Sequence, residues 1–484
     1  MIRIGDFILK CLFCTSESSP FALTGGLGDV SGSLPKALQR SGKVDCRVVM
    51  PLYKNIPSIF RENMEYVTDF NVSLSWRNQN CKLFKYVYEG VTYYFIDSLY
   101  YFNREGLYGY YDDAERFAFF SRAVLSMIDN MNVDFKPDII HCNDWQTALI
   151  PVYINVEYRF KESFRGVKTI FTIHNLQYRG VYGKEILGDV LGISYDNLPI
   201  LEFDGNVNFV KGAIETSNFL TTVSPTYANE LRDPYLSFNL SSVIERHCGN
   251  FVGILNGIDN FIYNPATDDK IYHNYSVDNM DMKASNKKEL AKRLNLDNYD
   301  LPMIGMVTRL TSHKGIDLVC DVFDRIMSET NAIFVVLGSG NEGYERFFRE
   351  KMMNYRGRVS SCFGFVDELA RKIYASSDIF LMPSEREPCG ISQMIAMRYG
   401  SVPLVRSTGG LNDSVETGDE SFNTGFSFWD YNSEALLMTL KYSLSKYEDK
   451  MYWNELKKRI MRVNNDWSVS AKNYIDLYNN AIKS

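Results

Sequence analysis

No uncharged apolar run in this 484-residue sequence approaches the ~20 residues that a membrane-spanning helix requires. Asp6 and Lys10 interrupt the first ten residues and break up any signal-type apolar core, so a soluble, cytoplasmic chain is expected. Basic residues do not cluster on any one stretch, and 52 Lys and Arg stand against 59 Asp and Glu, a formal charge of -7. That balance excludes a general grip on nucleic acid, which needs concentrated cations to neutralise phosphates. The Gly-x-x-x-x-Gly-Lys-[Ser/Thr] loop is missing, which disfavours a kinase or ATPase. A Gly-x-Gly-x-x-Gly turn with an acidic ribose partner is missing too, which disfavours a nicotinamide dehydrogenase. No Asp-x-Asp triplet occurs, so paired carboxylates clamping a divalent ion on a diphosphate are not expected. Cys11-Leu-Phe-Cys14 lacks the second pair of a zinc site and lies in an apolar run that reads as a buried strand. The nine scattered cysteines, odd in number, are read as reduced thiols.

What is present is an ordinary globular composition, 45% hydrophobic and 14% aromatic, in a chain long enough for two or three domains of ~150 residues. Short apolar runs alternate with amphipathic stretches from end to end, the βαβ pattern of parallel sheets. Strands are predicted at 46–50, 139–141, 168–173 and 219–223, then at 303–307, 332–337, 379–382 and 402–405. Helical periods follow at 34–40, 115–131, 316–327 and 391–399. Each half reads as its own doubly wound α/β unit. The least regular, most polar stretch is 264–286, so the expected domains are 1–262 and 263–484.

Several segments carry candidate chemistry. Thr24-Gly-Gly-Leu-Gly-Asp29 is echoed by Thr408-Gly-Gly-Leu-Asn-Asp413. Paired glycines at a strand-to-helix turn let the backbone approach a ligand and aim helix amides at its oxygens; alternatively they only permit a turn with positive φ. In Val307-Thr-Arg309-Leu-Thr-Ser-His-Lys314-Gly315, directly after a strand, Arg309 can fork onto a phosphate while Lys314 adds a point charge, or both are solvated loop cations. Met382-Pro-Ser-Glu-Arg-Glu387-Pro-Cys-Gly390-Ile-Ser-Gln393 offers Glu387 on a rigid turn with the amides of Cys389 and Gly390 near a helix start. That carboxylate either accepts sugar hydroxyls and balances positive charge at an anomeric carbon, or caps the helix. His174 follows a strand and is either structural or catalytic. Asp144-Trp145 reads as a hydroxyl acceptor with an apolar sugar platform, or as an N-cap with a core ring. Asn256-Gly-Ile-Asp259 reads first as a turn.

Taken together and in order, Thr24-Gly-Gly-Leu-Gly-Asp-Val, His141-Cys-Asn-Asp-Trp, Phe171-Thr-Ile-His-Asn-Leu, Ile254-Leu-Asn-Gly-Ile-Asp, Thr308-Arg-Leu-Thr-Ser-His-Lys-Gly, Glu387-Pro-Cys-Gly and Ser407-Thr-Gly-Gly-Leu resemble the bacterial glycogen synthases and plant starch synthases over essentially the whole chain. The resemblance implies the GT-B architecture, two facing Rossmann-like domains with a deep cleft, and a last helix near 468–482 crossing back to the first domain. It implies glucosyl transfer from ADP-glucose to the non-reducing 4-hydroxyl of an α-1,4-glucan such as glycogen, with retention, without a metal or other cofactor, and with neither nucleic acid nor membrane as partner.

By position in those motifs, Arg309 and Lys314 would bind the diphosphate, Glu387 would lie at the glucosyl unit as a stabiliser and not a nucleophile, and His174 would stand near the anomeric centre. Gly25, Gly26, Asp29, Asp144, Asn256, Cys389, Gly390 and the amides near Thr408, Gly409 and Gly410 would contact substrate. Removing Lys314 or Glu387 is expected to slow turnover and leave folding intact. Two positions depart from the family pattern. Leu23 replaces a lysine expected near the nucleotide, which implies weaker donor binding and makes a silent glucan-binding homologue the alternative reading. Ile395 stands where related retaining transferases carry a second glutamate, so no scheme with two carboxylates on that helix is supported.

Overall fold

The computed structural model describes residues 8–130, 132–364 and 366–484. The expectation for the first ten residues therefore falls mostly outside the described residues, as does Met131, the expected end of the 115–131 helix. The chain divides into two compact units: the first runs to Ile254 and takes in Trp467–Ser484, and the second is Leu255–Asp466. The division thus precedes the expected boundary at 262/263. The reason is that the segment after Leu255 is bonded into the second unit: Arg371 donates to the Ile262 carbonyl at 2.6 Å and pairs with buried Asp268 at 3.2 Å. Tyr275 likewise donates to the Tyr399 carbonyl at 2.7 Å. Polar residues that read as a linker are buried there as partners.

In the first unit, the main sheet is built from β1 (Leu9–Cys14), β2 (Val44–Pro51), β3 (Glu65–Leu74), β4 (Arg77–Tyr88), β5 (Val91–Asp97), β6 (Ile139–Asn143) and β7 (Lys168–Ile173). After a small sheet of β8 (Val181–Tyr182), β9 (Glu202–Phe203) and β10 (Asn206–Asn208), it is completed by β11 (Phe219–Thr222) and β12 (Phe251–Gly253). The order is β12-β11-β7-β6-β1-β2-β5-β4-β3. The interior strands are buried on both faces, as expected of continuous apolar runs. The expectation of parallel pairing throughout is corrected at one edge, where β4 runs antiparallel to both β3 and β5. Here Val72, Leu74, Cys81 and Leu83 are buried while Asn71, Ser73 and Lys82 are exposed, the alternation of a sheet with one wet face. All nine thiols are free; Cys11 lies in register with Cys46, and Cys14 with Cys142.

The second unit has one parallel sheet of β13 (Met303–Val307), β14 (Ile333–Leu337), β15 (Val359–Cys362), β16 (Ile379–Met382), β17 (Val402–Arg406) and β18 (Phe426–Phe428). Their order, β15-β14-β13-β16-β17-β18, is that of the doubly wound dinucleotide fold. The helix Ile316–Glu329 buries Ile316, Val319, Phe323 and Ile326, spaced on one helical face, and so covers the sheet. In each unit the strand order reverses once, between β1 and β6 and between β13 and β16. Ligands of open α/β sheets bind beyond the C-terminal strand ends at such points. Among the described residues no helix is long and apolar enough to cross a membrane.

The last helix, Trp467–Lys483, belongs to the first unit, where the Tyr478 hydroxyl lies 2.7 Å from His141 Nδ1 on β6. Thr172 Oγ1 holds the other ring nitrogen at 2.6 Å, so this buried imidazole is bonded at both ends. Tyr478→Phe leaves a buried ring nitrogen unpaired and should cost about 1–3 kcal/mol in denaturant unfolding. An unchanged midpoint would remove His141 and Tyr478 as the tie between helix and sheet.

Candidate functional site

In the second unit, the segments after β13 and β16 lie at the switch point and meet through their backbones. Gly315, at φ +71°, ends the short turn that carries Lys314, and a Cβ there would overlap the Pro383 carbonyl oxygen. The Glu385 amide donates to the His313 carbonyl at 3.0 Å, and Arg406 at the end of β17 donates to the Glu385 carbonyl at 2.7 Å. Lys314 Nζ is thereby placed 2.6 Å from Glu387 Oε2, with side chains only 17% and 9% exposed. Ser384 Oγ donates to the same Oε2 at 3.0 Å, which leaves Oε1 with no protein partner among the described residues.

Arg309 is exposed, and its guanidinium makes no hydrogen bond or ion pair among the described residues. The half-buried His313 imidazole is held below its ordinary pKa, by burial first and then by the charges of Lys314, Arg309 and Arg386, with Glu387 opposing. Cations therefore converge at the end of β13, where an anion is favoured. Because the Lys314–Glu387 pair is nearly buried, removing one partner also destabilises the fold, typically by about 3–5 kcal/mol.

The other predicted residues of this unit are placed as follows. Glu387 caps no helix; the helix begins at Ser392. Gly409 is at φ +45°, and a Cβ there would overlap the Glu387 carbonyl oxygen, while one on Gly410 would overlap that of Cys389. The Gly410 amide already donates to the carbonyls of Glu387 and Pro388, and that of Thr408 to Arg406, so these two amides are not open to substrate. Close packing on these two carbonyls requires glycine at both positions. Burial pushes the Cys389 thiol up to about 12, and the Asn256 amide donates to it. Asn256 is in an extended segment, not a turn: Ile258 bridges to Asp466. The Asn256 side-chain oxygen is buried without a partner among the described residues. Gly390, at φ +73°, packs on Gln393, whose Nε2 donates to the carbonyls of Cys389 and Gly390 and to Ser414.

In the first unit, the segments after β1, β6 and β7 carry the candidates. Gly25 is extended and Gly26 opens the helix Gly26–Arg40; neither would meet a neighbour if it carried a Cβ, so this pair leaves open space beside the backbone. Buried Glu17 anchors the loop, accepting from the Thr24 amide at 2.5 Å, from the Gly25 amide at 3.3 Å and from the Tyr108 hydroxyl at 2.8 Å. Leu23 is 49% exposed, and Asp29 is exposed in the first helical turn.

Asp144 adopts φ +58°, an uncommon conformation that aspartate tolerates, and its Oδ1 accepts from the His174 amide at 2.8 Å. Through this oxygen it clamps the next loop. Trp145, half-buried, packs against Phe117, Tyr182 and Phe209. Asn143 Nδ2 donates to the carbonyls of Cys14 and His141, which turns its oxygen toward His174 Nε2 at 2.9 Å. The His174 proton therefore sits on Nε2, and Nδ1 is an acceptor with no partner among the described residues. Burial lowers His174 to about 3, so the ring is neutral at working pH. Glu17 lies outside every motif, and Asn143, Ser384 and Gln393 lie inside motifs without a role of their own there, because each acts through tertiary contact. Among the described residues, no three His, Cys, Asp or Glu side chains cluster as metal ligands would.

Two doubly wound α/β units with polar groups gathered at their switch points place the chain in the GT-B class, the class of the glycosyltransferases whose solved structures superpose on it. Residues 10–246 match the starch synthase catalytic domain family, and residues 287–459 match the glycosyl transferases group 1 family. The glycogen synthase of Clostridium acetobutylicum is 47% identical over 479 residues, covering 97% of this chain and 99% of that one. That of Geobacillus stearothermophilus is 44% identical over 480 residues, covering 98% of each. The catalytic domain of starch synthase IV from Arabidopsis thaliana, solved with ADP and acarbose, superposes with a TM-score of 0.89 at 34% identity, covering 99% of this chain and 100% of that one. Sucrose-phosphate synthase from Thermosynechococcus elongatus, at 15% identity and a TM-score of 0.62, covering 98% and 99%, shares the fold. The chain belongs to the glycogen synthase family, and it is an enzyme of glucosyl transfer. No observation supports the silent homologue.

Burial pushes the Asp144 carboxyl up to about 7 against opposing bonds from the His174 and Asn175 amides. An unfolded aspartate ionises near pH ~3.9, so the folded chain retains an extra proton between the two values. Its contribution to stability is complete below the lower value and is lost as pH rises through about 7. Asp144→Asn keeps an acceptor for both amides and does not titrate. Its stability should gain on wild type as pH rises from 4 to 7; parallel curves would refute the assignment.

Proposed function

We propose that this enzyme transfers glucose from ADP-glucose to the non-reducing 4-hydroxyl of an α-1,4-glucan, with retention and without a metal. The observation that carries this reading is the exposed, unpaired Arg309 guanidinium beside the Lys314–Glu387 pair at the switch point of the second unit. Breaking the bond between the anomeric carbon and the phosphate oxygen leaves negative charge on the departing ADP. Arg309 forks onto that phosphate and Lys314 adds a point charge, an arrangement that favours the charge-separated state more than the bound donor.

Glu387 keeps Lys314 in place through Oε2, and its unoccupied Oε1 accepts a glucosyl hydroxyl. A carboxylate already engaged by an ammonium is a poor nucleophile, so we assign a front-face route in which the leaving phosphate takes the acceptor's proton. Neutral His174 accepts a sugar hydroxyl hydrogen at Nδ1, and the buried Asn256 oxygen takes another. Leu23 supplies no cation, so donor binding is weaker than a lysine would give.

The test is labelled glucose incorporation into glycogen from ADP-, UDP- and GDP-glucose. ADP-glucose should be preferred. Arg309→Ala and Lys314→Ala should each lower kcat by at least about a hundredfold, in line with loss of a transition-state charge contact. Glu387→Gln, which keeps shape and hydrogen bonding, separates chemistry from folding and should also be slow. Leu23→Lys should lower KM for the donor. Wild-type rates in folded Arg309→Ala, or equal use of all three donors, would overturn the reading.

A further inference from the structure

The second unit contains a cavity of about 660 Å³ at the opposite end of its sheet from Arg309 and Glu387. Asp300 and Asp378, which line it, come just before β13 and β16, whereas Arg309 and Glu387 follow those strands. Five residues at ~3.3 Å each separate the two ends by about 15 Å. The helices Asp281–Arg293 and Lys450–Arg462 begin at this cavity, and the first has no side-chain cap.

Six lysines and four aspartates line the cavity, a formal excess of two positive charges. Lys283 is fully engaged by three backbone carbonyls and Ser401, and Lys287 pairs with Asp378 at 2.6 Å. Lys450 stands over the Tyr447 ring at 3.4 Å without a carboxylate partner. The ammonium of Lys457, two helical turns further along, makes no hydrogen bond or ion pair among the described residues. Burial first, and then Lys287 and Lys450, hold its ammonium below the ordinary value, with Asp378 and Asp281 opposing. Crowded cations of this kind are relieved by a bound anion.

Two further groups are unsatisfied at the same place. Ser376 Oγ and the Trp453 indole N–H are buried without partners among the described residues, from lining residues only 1% exposed. A buried donor without a partner is destabilising, and a ligand oxygen would relieve it. Asn279, Asn454 and Asp278 supply carboxamides and a carboxylate suited to hydroxyls. From this combination we infer that the cavity is a second ligand site, for a sugar monophosphate whose phosphate lies between Lys450 and Lys457 and whose hydroxyls meet the polar rim. A phosphate monoester carries close to two negative charges at neutral pH, matching the excess.

The test is calorimetric titration of the full-length chain with glucose 6-phosphate, whose phosphate is not anomeric, and with inorganic phosphate and glucose. Wild type should bind glucose 6-phosphate saturably and more tightly than either fragment. The double variant Lys450→Ala/Lys457→Ala should weaken binding at least tenfold with no loss of Tm, and Lys457→Gln should weaken it in the same direction. Arg309→Ala should bind as wild type does, which separates this site from the donor site. No saturable binding, binding unchanged in the lysine variants, or binding lost in Arg309→Ala would overturn the proposal. Equal affinity for inorganic phosphate would overturn the sugar assignment.

Discussion

The second unit's chemistry depends on one contact, a lysine ammonium held 2.6 Å from a nearly buried carboxylate. Neither partner could be kept there by its own loop. The turn bearing Lys314 is pressed onto the segment bearing Glu387 where Gly315 meets the Pro383 carbonyl, and Gly409 meets the carbonyl of Glu387 from the other side. Both glycines have positive φ and no room for a Cβ, so the backbone itself sets the spacing between the charges. Pre-organised charge of this kind needs no rearrangement when the leaving group becomes an anion.

The two units follow the same topological rule with different chemistry. In the second, the switch point between β13 and β16 gathers cations. In the first, the switch point between β1 and β6 gathers neutral or internally bonded groups: His174 is kept uncharged by burial, Asp144 clamps its loop, and Glu17 anchors the Thr24-Gly25 turn. A unit that gathers cations and a unit that offers hydrogen-bond acceptors suit the proposed reaction, whose donor carries a diphosphate and whose acceptor is a neutral glucan.

Much of this was legible in the sequence, for identifiable reasons. β7, β13 and β16 lie where continuous apolar runs placed them, because a strand covered on both faces must be apolar throughout. The β3–β4 hairpin was missed because only every second residue is buried and the rest read as loop. The echoed Gly-Gly pairs marked real turns, yet the first leaves open space while the second is closed by packing, a difference that depends on what lies opposite. The polar segment after Tyr263 read as a linker because burial of Asp268 and Asn286 depends on partners distant in the chain. The roles of Glu17, Asn143 and Ser384 were invisible for the same reason: nothing in local spacing reveals which amide, imidazole or carboxylate a side chain will meet.

The central claim is that Arg309 and Lys314 receive the nucleotide's phosphates. A crystal structure of the enzyme with ADP tests it most directly. The account predicts the diphosphate within hydrogen-bond distance of both side chains, with Lys314 still paired to Glu387. A diphosphate bound away from both would contradict it.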